Sequence, residues 1–432
     1  MSDAAPTALH RLRQSNAERV LGCLRRHGEL SRAEVAEHSG LSRTTLSAIL
    51  GDLMRRGLVV ETERPPSNRR GRPTSGLVLN PAAGQYLGIE LGRNRIRLVL
   101  ADASHQVRAR HELPYGAARS AAERLALAER AVRDTARRHG ITLDALAGIG
   151  VGSTGPGELV LADAGGLPGA LRGREVVADG LARAFGAPVG VDNNTRLTAL
   201  AEATWGAAAG ASDLLYAHFS HGVGGGLIVG GQLIRGAGGV AAELGHLCVD
   251  ESGPECWCGG RGCLERYASV PAVLRAAGHR RWPMLRDALG GVAEPGAARA
   301  VEDGARAAER DARAADQGAA RAAEREAVRA AGAHAGTALA AMCTAVNAGR
   351  VVLGGELAEL GEVFLGPLRE SFDRRAMRSL RGGVEFDRAT TAPWGGALGG
   401  LALALHESPL LARYPLPAGS EPAAPADAGS GS

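Results

Sequence analysis

The chain has 432 residues, 45% of them hydrophobic, so it is long enough for two or three domains with sizeable cores. Its sequence contains no apolar run of the ~20 residues that a membrane span needs and no signal-peptide pattern, so we expect a cytoplasmic protein whose six cysteines are reduced or metal-bound. Residues 1–80 hold 13 Arg against 8 acidic residues, a balance of +5, whereas the whole chain carries +4, which suits a basic nucleic-acid-binding segment on a near-neutral body.

Capping boxes and apolar spacing predict three helices near the start of the chain. The segments 15–18 and 31–34 both have the Ser-x-x-Glu pattern of a capping box, which begins a helix. Ser42 caps a third helix, whose apolar residues recur at i, i+3, i+4 and i+7 as Leu46, Ile49, Leu50 and Leu53. Strands are expected at 58–60 and 77–79. Three helices followed by a hairpin predict a winged helix-turn-helix.

The third helix is the expected recognition helix. Five polar residues lie in its first turns, away from the apolar stripe, where such proteins contact base edges and phosphates. These candidate DNA contacts are Ser42, Arg43, Thr44, Thr45 and Ser47. The alternative is a small helical module that binds another protein.

An arginine, glycine and proline run over residues 64–73 follows the first strand of the hairpin. Such a run is extended, and arginine inserted into a narrow A·T-rich minor groove meets an enhanced negative potential. Arg70 and Arg72 are therefore candidate minor-groove contacts. A solvated wing and linker explains the same composition equally well.

Three cysteines lie within eight residues, ten residues after a histidine. Thiolate and imidazole are the ligands that tetrahedral zinc prefers. We therefore predict a structural Zn²⁺ site with four ligands, His246, Cys256, Cys258 and Cys263. The glycines between the last two cysteines permit the tight backbone that such a site needs. The alternative is three unrelated reduced thiols.

The same stretch carries a family resemblance. Glu243-x-Gly-His246 followed by Cys-x-Cys-Gly-x-x-Gly-Cys-Leu-Glu265 resembles the signature of the ROK family of bacterial sugar kinases and sugar-responsive repressors. The resemblance covers about residues 84–405, and the N-terminal segment is similar to that of the xylose and N-acetylglucosamine repressor branch. It implies an α/β body of two lobes with the actin/hexokinase (ribonuclease H-like) fold and a zinc-binding loop held against a sugar site. It also implies sugar-hydroxyl contacts from Glu243, His246 and Glu265. The two glutamates could instead be buried structural acids.

The chain departs from the kinases of that family in the phosphate loop and at the catalytic base, among other positions. Their Asp-x-Gly-Gly-Thr phosphate loop corresponds to a segment with Glu90, Arg93 and Asn94, and a bulky Arg93 should block the approach of phosphates. Their catalytic Asp, the general base, corresponds to Asn194, and a carboxamide cannot accept the proton. Asn193 is retained, and we expect Asn193 and Asn194 to hydrogen-bond a sugar.

These observations predict a domain order and a function. A winged helix-turn-helix over 1–80 precedes a first ROK lobe over 81–200, a second lobe over 201–411 whose C-terminal helix returns to the first, and a disordered tail over 412–432. We predict a DNA-binding transcriptional regulator, expected to repress carbohydrate uptake or metabolism genes, with no kinase catalysis. Its expected partners are operator DNA, a monosaccharide or sugar-phosphate effector and further copies in a homodimer or homotetramer, without a membrane. The alternatives are an active ATP-dependent sugar kinase with a DNA-binding appendage and a regulator that no longer senses sugar.

Overall fold

The computed structural model describes residues 16–17, 19–24, 27–62, 75–116, 120–153, 167–290 and 304–407. The capping residues Ser15 and Glu18, the wing residues Arg70 and Arg72 and the expected tail lie outside these ranges. Within them, no helix is long and apolar enough to cross a membrane.

The N-terminal residues form the predicted winged helix-turn-helix. Residues 19–24 are helical, and two further helices follow, α1 (Arg32–Ser39) and α2 (Arg43–Arg55). Three strands pair antiparallel in the order β1-β3-β2, namely β1 (Leu30–Ser31), β2 (Val59–Thr62) and β3 (Gly76–Leu79). Ser31 caps α1 through a complete capping box with Glu34, and Ser42 caps α2 by accepting the backbone N–H of Thr45. The apolar stripe of α2 is buried, as its spacing predicts.

A five-stranded sheet follows, in the order β6-β5-β4-β7-β8. Its strands are β4 (Gln85–Leu91), β5 (Arg95–Asp102), β6 (Val107–Pro114), β7 (Leu146–Ser153) and β8 (Val189–Asn193). The pairs β4/β5 and β5/β6 are antiparallel, whereas β7 pairs parallel with both β4 and β8. The sheet shares a core with two helices, α3 (Ala121–Arg138) and α4 (Leu167–Phe185).

Two more helices pack beside this sheet, α5 (Asn194–Thr204) and the C-terminal α12 (Gly395–Glu407). Helix α12 contacts β4, β7 and α5. Glycines permit that approach, since a Cβ added at Gly150 would lie 1.8 Å from the carbonyl oxygen of Gly400. No side chain fits there, so the helix backbone rests directly on the strand.

A second five-stranded sheet has the order β11-β10-β9-β12-β13. Its strands are β9 (Leu214–Phe219), β10 (Val223–Val229), β11 (Gln232–Leu233), β12 (Arg350–Gly354) and β13 (Glu385–Arg388). The helices of this region are α6 (Glu265–Ala268), α7 (Val270–Ala276), α8 (Trp282–Gly290), α9 (Gly304–Val346), α10 (Glu356–Glu359) and α11 (Glu362–Arg375).

The long helix α9 is partly buried. Its alanine- and arginine-rich sequence suggests a solvated helix through residue 335, but Val328, Ala331 and Ala335 are already buried in the core of the second sheet. Alanine is small enough for close helix packing, and a Cβ added at Gly336 would lie 2.1 Å from the carbonyl oxygen of Leu368 on α11. The alanines of α9 therefore form part of its interface with α11 and the core of the second sheet.

The chain divides into two compact units. The first contains the residues up to Ser212, Ile228–Leu233 and those from Thr390 on. The second contains Asp213–Leu227 and Ile234–Ala389. The expected lobe boundary at residue 200 falls inside α5, and the first unit includes α12.

Candidate functional site

The four predicted metal ligands lie together in the second unit. The donor atoms of His246, Cys256, Cys258 and Cys263 are all within 4.8 Å of one another, and we call these four residues the metal cluster. The Cys258 and Cys263 sulfurs are 3.6 Å apart, and the Cys256 sulfur is 3.7 Å from His246 Nδ1. Two sulfurs bound to one tetrahedral zinc at about 2.3 Å each lie about 3.8 Å apart. The cluster therefore has the donor set and the spacing of a structural zinc site.

The loop that carries the cluster is folded by short backbone contacts. The Cys256 N–H donates to the Gly260 carbonyl oxygen, and the Gly262 N–H donates to the Pro254 carbonyl oxygen. Gly262 has a φ of +65°, and a Cβ added to it would lie 1.5 Å from the Asp250 carbonyl oxygen. Gly259 also has a positive φ, but open space surrounds it. Glycine at 262 is thus required by both conformation and space.

The surroundings of the cluster shift the pKa values of two of its thiols. Burial raises the pKa of Cys263 to about 12, and the neighbouring thiols Cys258 and Cys256 add to the effect. Burial also opposes ionisation of Cys258, but the Gly260 N–H and the Cys263 thiol lower its pKa overall. A metal binds the thiolate form, so metal binding at this cluster would release protons.

Of the candidate sugar contacts in the second unit, His246 belongs to the metal cluster and Glu265 lies close to it. Glu265 begins α6, and its Oε2 accepts the backbone N–H of Val223 at 3.0 Å while its Oε1 accepts the indole N–H of Trp257 at 2.9 Å. The His246 ring meets the Trp257 ring edge to face, with centroids 4.8 Å apart. The third candidate, Glu243, immediately precedes the 3₁₀ turn Leu244–His246. The second unit thus brings both His246 and Glu265 into contact with Trp257.

The other two candidate sugar contacts lie in the first unit. Asn193 ends β8, and its side-chain oxygen caps α5 by accepting the backbone N–H groups of Thr195 and Arg196. Asn194 is the first residue of α5. Asp192 and Arg196 flank them with a fully buried ion pair of 2.8 Å. The amide oxygen of Asn193 is therefore used within the fold, which leaves its amide nitrogen as a donor.

Glu90, which the family resemblance aligns with the phosphate loop of the kinases, takes part in an ion pair that sequence reasoning missed. Arg97 on β5 lies 3.3 Å from Glu90 Oε2 and 2.6 Å from Glu112 Oε2. Burial raises the pKa of Glu90, and the Arg97 charge partly offsets that rise. The signal was present in the sequence, because Arg95 and Arg97 alternate on one strand at the period that puts both on one face. A protein cation thus sits beside Glu90.

Helix α2, the expected recognition helix, exposes part of the predicted DNA contact set. Arg43, Thr44 and Ser47 are exposed in the first turns of α2. The hydroxyls of Ser42 and Thr45 lie 2.8 Å apart, and Ser42 caps the helix. Ser42 and Thr45 are therefore engaged at the helix cap, whereas the side chains of Arg43, Thr44 and Ser47 take no part in it.

Comparison with known proteins gives two family matches. Residues 86–407 match the model described as the ROK family, and residues 17–71 match the model described as the MarR family. Over 426 residues the chain is 26% identical to the DNA-binding transcriptional repressor Mlc of Escherichia coli (strain K12). The aligned residues cover 96% of this chain and 99% of Mlc.

Two solved structures share the fold. A ROK family transcriptional regulator, a homolog of the E. coli MLC protein, matches with a TM-score of 0.68 at 21% identity, covering 93% of this chain and 99% of that chain. A ROK family glucokinase from Streptomyces griseus in complex with glucose and AMPPNP matches with a TM-score of 0.55 at 27% identity, covering 74% of this chain and 99% of that chain. The first match includes most of the chain, whereas the second spans about three quarters of it.

Proposed function

The chain belongs to the ROK family, and from this membership we propose that it is a sugar-responsive transcriptional repressor. The observation that carries the proposal is a basic winged helix-turn-helix joined to a ROK body in which the metal cluster is complete. The family resemblance adds Asn194 at the position where the kinases of the family have their base. A relative similar over nearly its whole length, Mlc, is a DNA-binding transcriptional repressor.

DNA binding would be the task of helix α2. Its buried leucine stripe fixes the helix on the small domain, so that Arg43, Thr44 and Ser47 face solvent. These three would contact base edges and phosphates in the major groove, while Ser42 and Thr45 would hold the helix start and offer hydroxyls to the backbone. Arg70 and Arg72 of the wing would enter the adjacent minor groove.

Sugar binding would be the task of the ROK body. His246, Cys256, Cys258 and Cys263 would hold a structural zinc that fixes the loop bearing His246 and leading into Glu265. Glu243, His246 and Glu265 would accept or donate hydrogen bonds to hydroxyls, and Asn193 and Asn194 would add amide contacts. The zinc supplies a cross-link and takes no part in chemistry.

Loss of phosphoryl transfer would follow from two changes. Asn194 cannot accept the proton of an attacking sugar hydroxyl, which removes a contribution of about 10²–10⁴-fold in rate. Glu90, at the phosphate-loop position, already pairs with Arg97. The body would therefore bind its ligand without turning it over.

Coupling of the two tasks would depend on assembly. In a homodimer or homotetramer, sugar binding would change the spacing of two winged helices so that they no longer fit successive half-sites. A sugar does this only through its differential affinity for the two states, and a coupling of about 1–3 kcal/mol is typical. The effect would occur in the cytoplasm, on chromosomal DNA.

Calorimetric titration and a coupled kinase assay test the proposal together. We expect the purified protein to bind at least one of D-glucose, D-xylose, N-acetylglucosamine or glucose 6-phosphate and to show no ATP-dependent turnover. Turnover above about 1 s⁻¹ would instead support the sugar kinase that the glucokinase likeness suggests. Absence of binding heat with every sugar would support a regulator that no longer senses sugar.

A further inference from the structure

Trp257 is the most exposed large hydrophobic side chain in the part of the chain that the structure describes. Its exposed fraction is 64%, although the chain has only four tryptophans and an aromatic content of 3%. Full burial of an aromatic side chain typically contributes about 1.5–3 kcal/mol, and Trp257 forgoes most of that gain. The core of the fold thus gives no reason for a tryptophan at this position.

The backbone around Trp257 is fixed. Trp257 lies between the cluster residues Cys256 and Cys258. The Gly259 N–H donates to the Cys256 carbonyl oxygen at 3.0 Å and closes a turn that contains Trp257. The exposed indole is therefore presented by a short constrained turn. A ring held out by such a turn loses little conformational entropy when a ligand covers it.

Two residues of the proposed sugar site hold the indole. Its N–H donates to Glu265 Oε1 at 2.9 Å, and its ring meets the His246 imidazole at an interplanar angle of 87°. The N–H and part of the ring are used in these contacts. Because most of the ring area remains open, an extended apolar surface lies directly beside a carboxylate and an imidazole.

We propose that Trp257 is the stacking platform of the effector site and selects sugars in the pyranose ring form. This inference rests on the proposed sugar-binding function. A pyranose has an apolar face of C–H groups and an equator of hydroxyls, so it can cover the indole while its edge reaches Glu265 and His246. Aromatic rings beside a few placed polar groups are typical of small-molecule sites. A carboxylate next to the platform disfavours a phosphorylated sugar, so the expected ligand is neutral.

Calorimetric titration of the full chain with D-glucose, D-xylose, N-acetylglucosamine and glucose 6-phosphate tests the platform. Trp257→Ala should raise the Kd of the sugar that binds wild type by about tenfold, whereas Trp257→Phe, which keeps a ring and loses the N–H, should raise it less than about threefold. Glu255→Gln is the matched control. It lies on the same loop with an 83% exposed side chain and pairs with Arg261, so it should leave the Kd unchanged.

The zinc content of each variant, measured by atomic emission, shows whether the loop is intact. Equal Kd values for wild type and Trp257→Ala, with zinc retained, would overturn the platform and leave sugar binding standing. An equal loss in Trp257→Phe and Trp257→Ala would also overturn it, because the N–H bond to Glu265 would then carry the effect. Tighter binding of glucose 6-phosphate than of glucose would overturn the choice of a neutral ligand. A wild-type chain that binds none of these sugars would overturn both this inference and the proposed function.

Discussion

Replacement of Gly262 by alanine should disrupt the zinc loop, and the structure gives the size of the effect. A non-glycine residue at a φ of +65° costs about 1–2 kcal/mol. The new Cβ would lie 1.5 Å from the Asp250 carbonyl oxygen, a distance that no real contact shows, so the backbone must move. That movement endangers two hydrogen bonds, from Gly262 N to the Pro254 oxygen and from Val249 N to the Gly262 oxygen, worth about 0.5–1.5 kcal/mol each.

Gly259→Ala is the control for this variant. Gly259 has a φ of +89° in the same loop, but nothing lies within 4 Å of its added Cβ. Both variants place a non-glycine residue at a positive φ and are destabilised by it, but only Gly262→Ala also produces a steric clash. The difference of about 1–3 kcal/mol predicts zinc binding about 5- to 150-fold weaker in Gly262→Ala than in Gly259→Ala. Competition titration against a chromophoric chelator measures both affinities. Equal affinities would refute the close packing of Gly262 on Asp250.

Three further substitutions separate the parts of the molecule. Arg43→Ala should weaken binding to operator DNA and reduce the slope of log K against log salt by about 1, while calorimetry shows unchanged sugar affinity; a parallel loss of both would contradict the separation of the two tasks. Asn194→Asp should give no turnover in a coupled ATP assay, because it restores the base but leaves Arg93 in the phosphate loop; measurable kinase activity would show that Arg93 does not block the phosphates. Arg196→Met removes the guanidinium that lies 2.8 Å from the fully buried Asp192 carboxylate and should lower the free energy of unfolding by about 3–5 kcal/mol in urea titration, whereas Arg55→Met, in an exposed pair, should cost less than about 1 kcal/mol.

Local patterns in the sequence predicted the small domain and the metal cluster well. The caps at Ser31 and Ser42 and the stripe of α2 depend on neighbours within one or two turns, so their spacing alone specifies them. The four donors of the metal cluster lie within 18 residues of one another, and few other chemistries use that combination. Such features need no knowledge of the distant chain.

Contacts that depend on strand register, on a partner helix or on the path of a loop could not be predicted in the same way. The pair of Glu90 with Arg97 depends on two strands meeting in a particular register, and burial of the alanines of α9 depends on a partner helix that is later in sequence. The hydrogen bond from Trp257 to Glu265 spans eight residues of a glycine-rich loop. The path of that loop depends on positive φ values, which glycine allows but does not require.

Selection of genomic DNA fragments by the purified full-length protein, repeated with each sugar of the panel at millimolar concentration, tests the central claim most directly. We predict recovery of a specific fragment at moderate salt and its release by one neutral sugar. Recovery that no sugar changes would contradict sugar sensing and leave a DNA-binding protein. No specific recovery at all would contradict the assignment of α2 as a recognition helix and, with it, the repressor function.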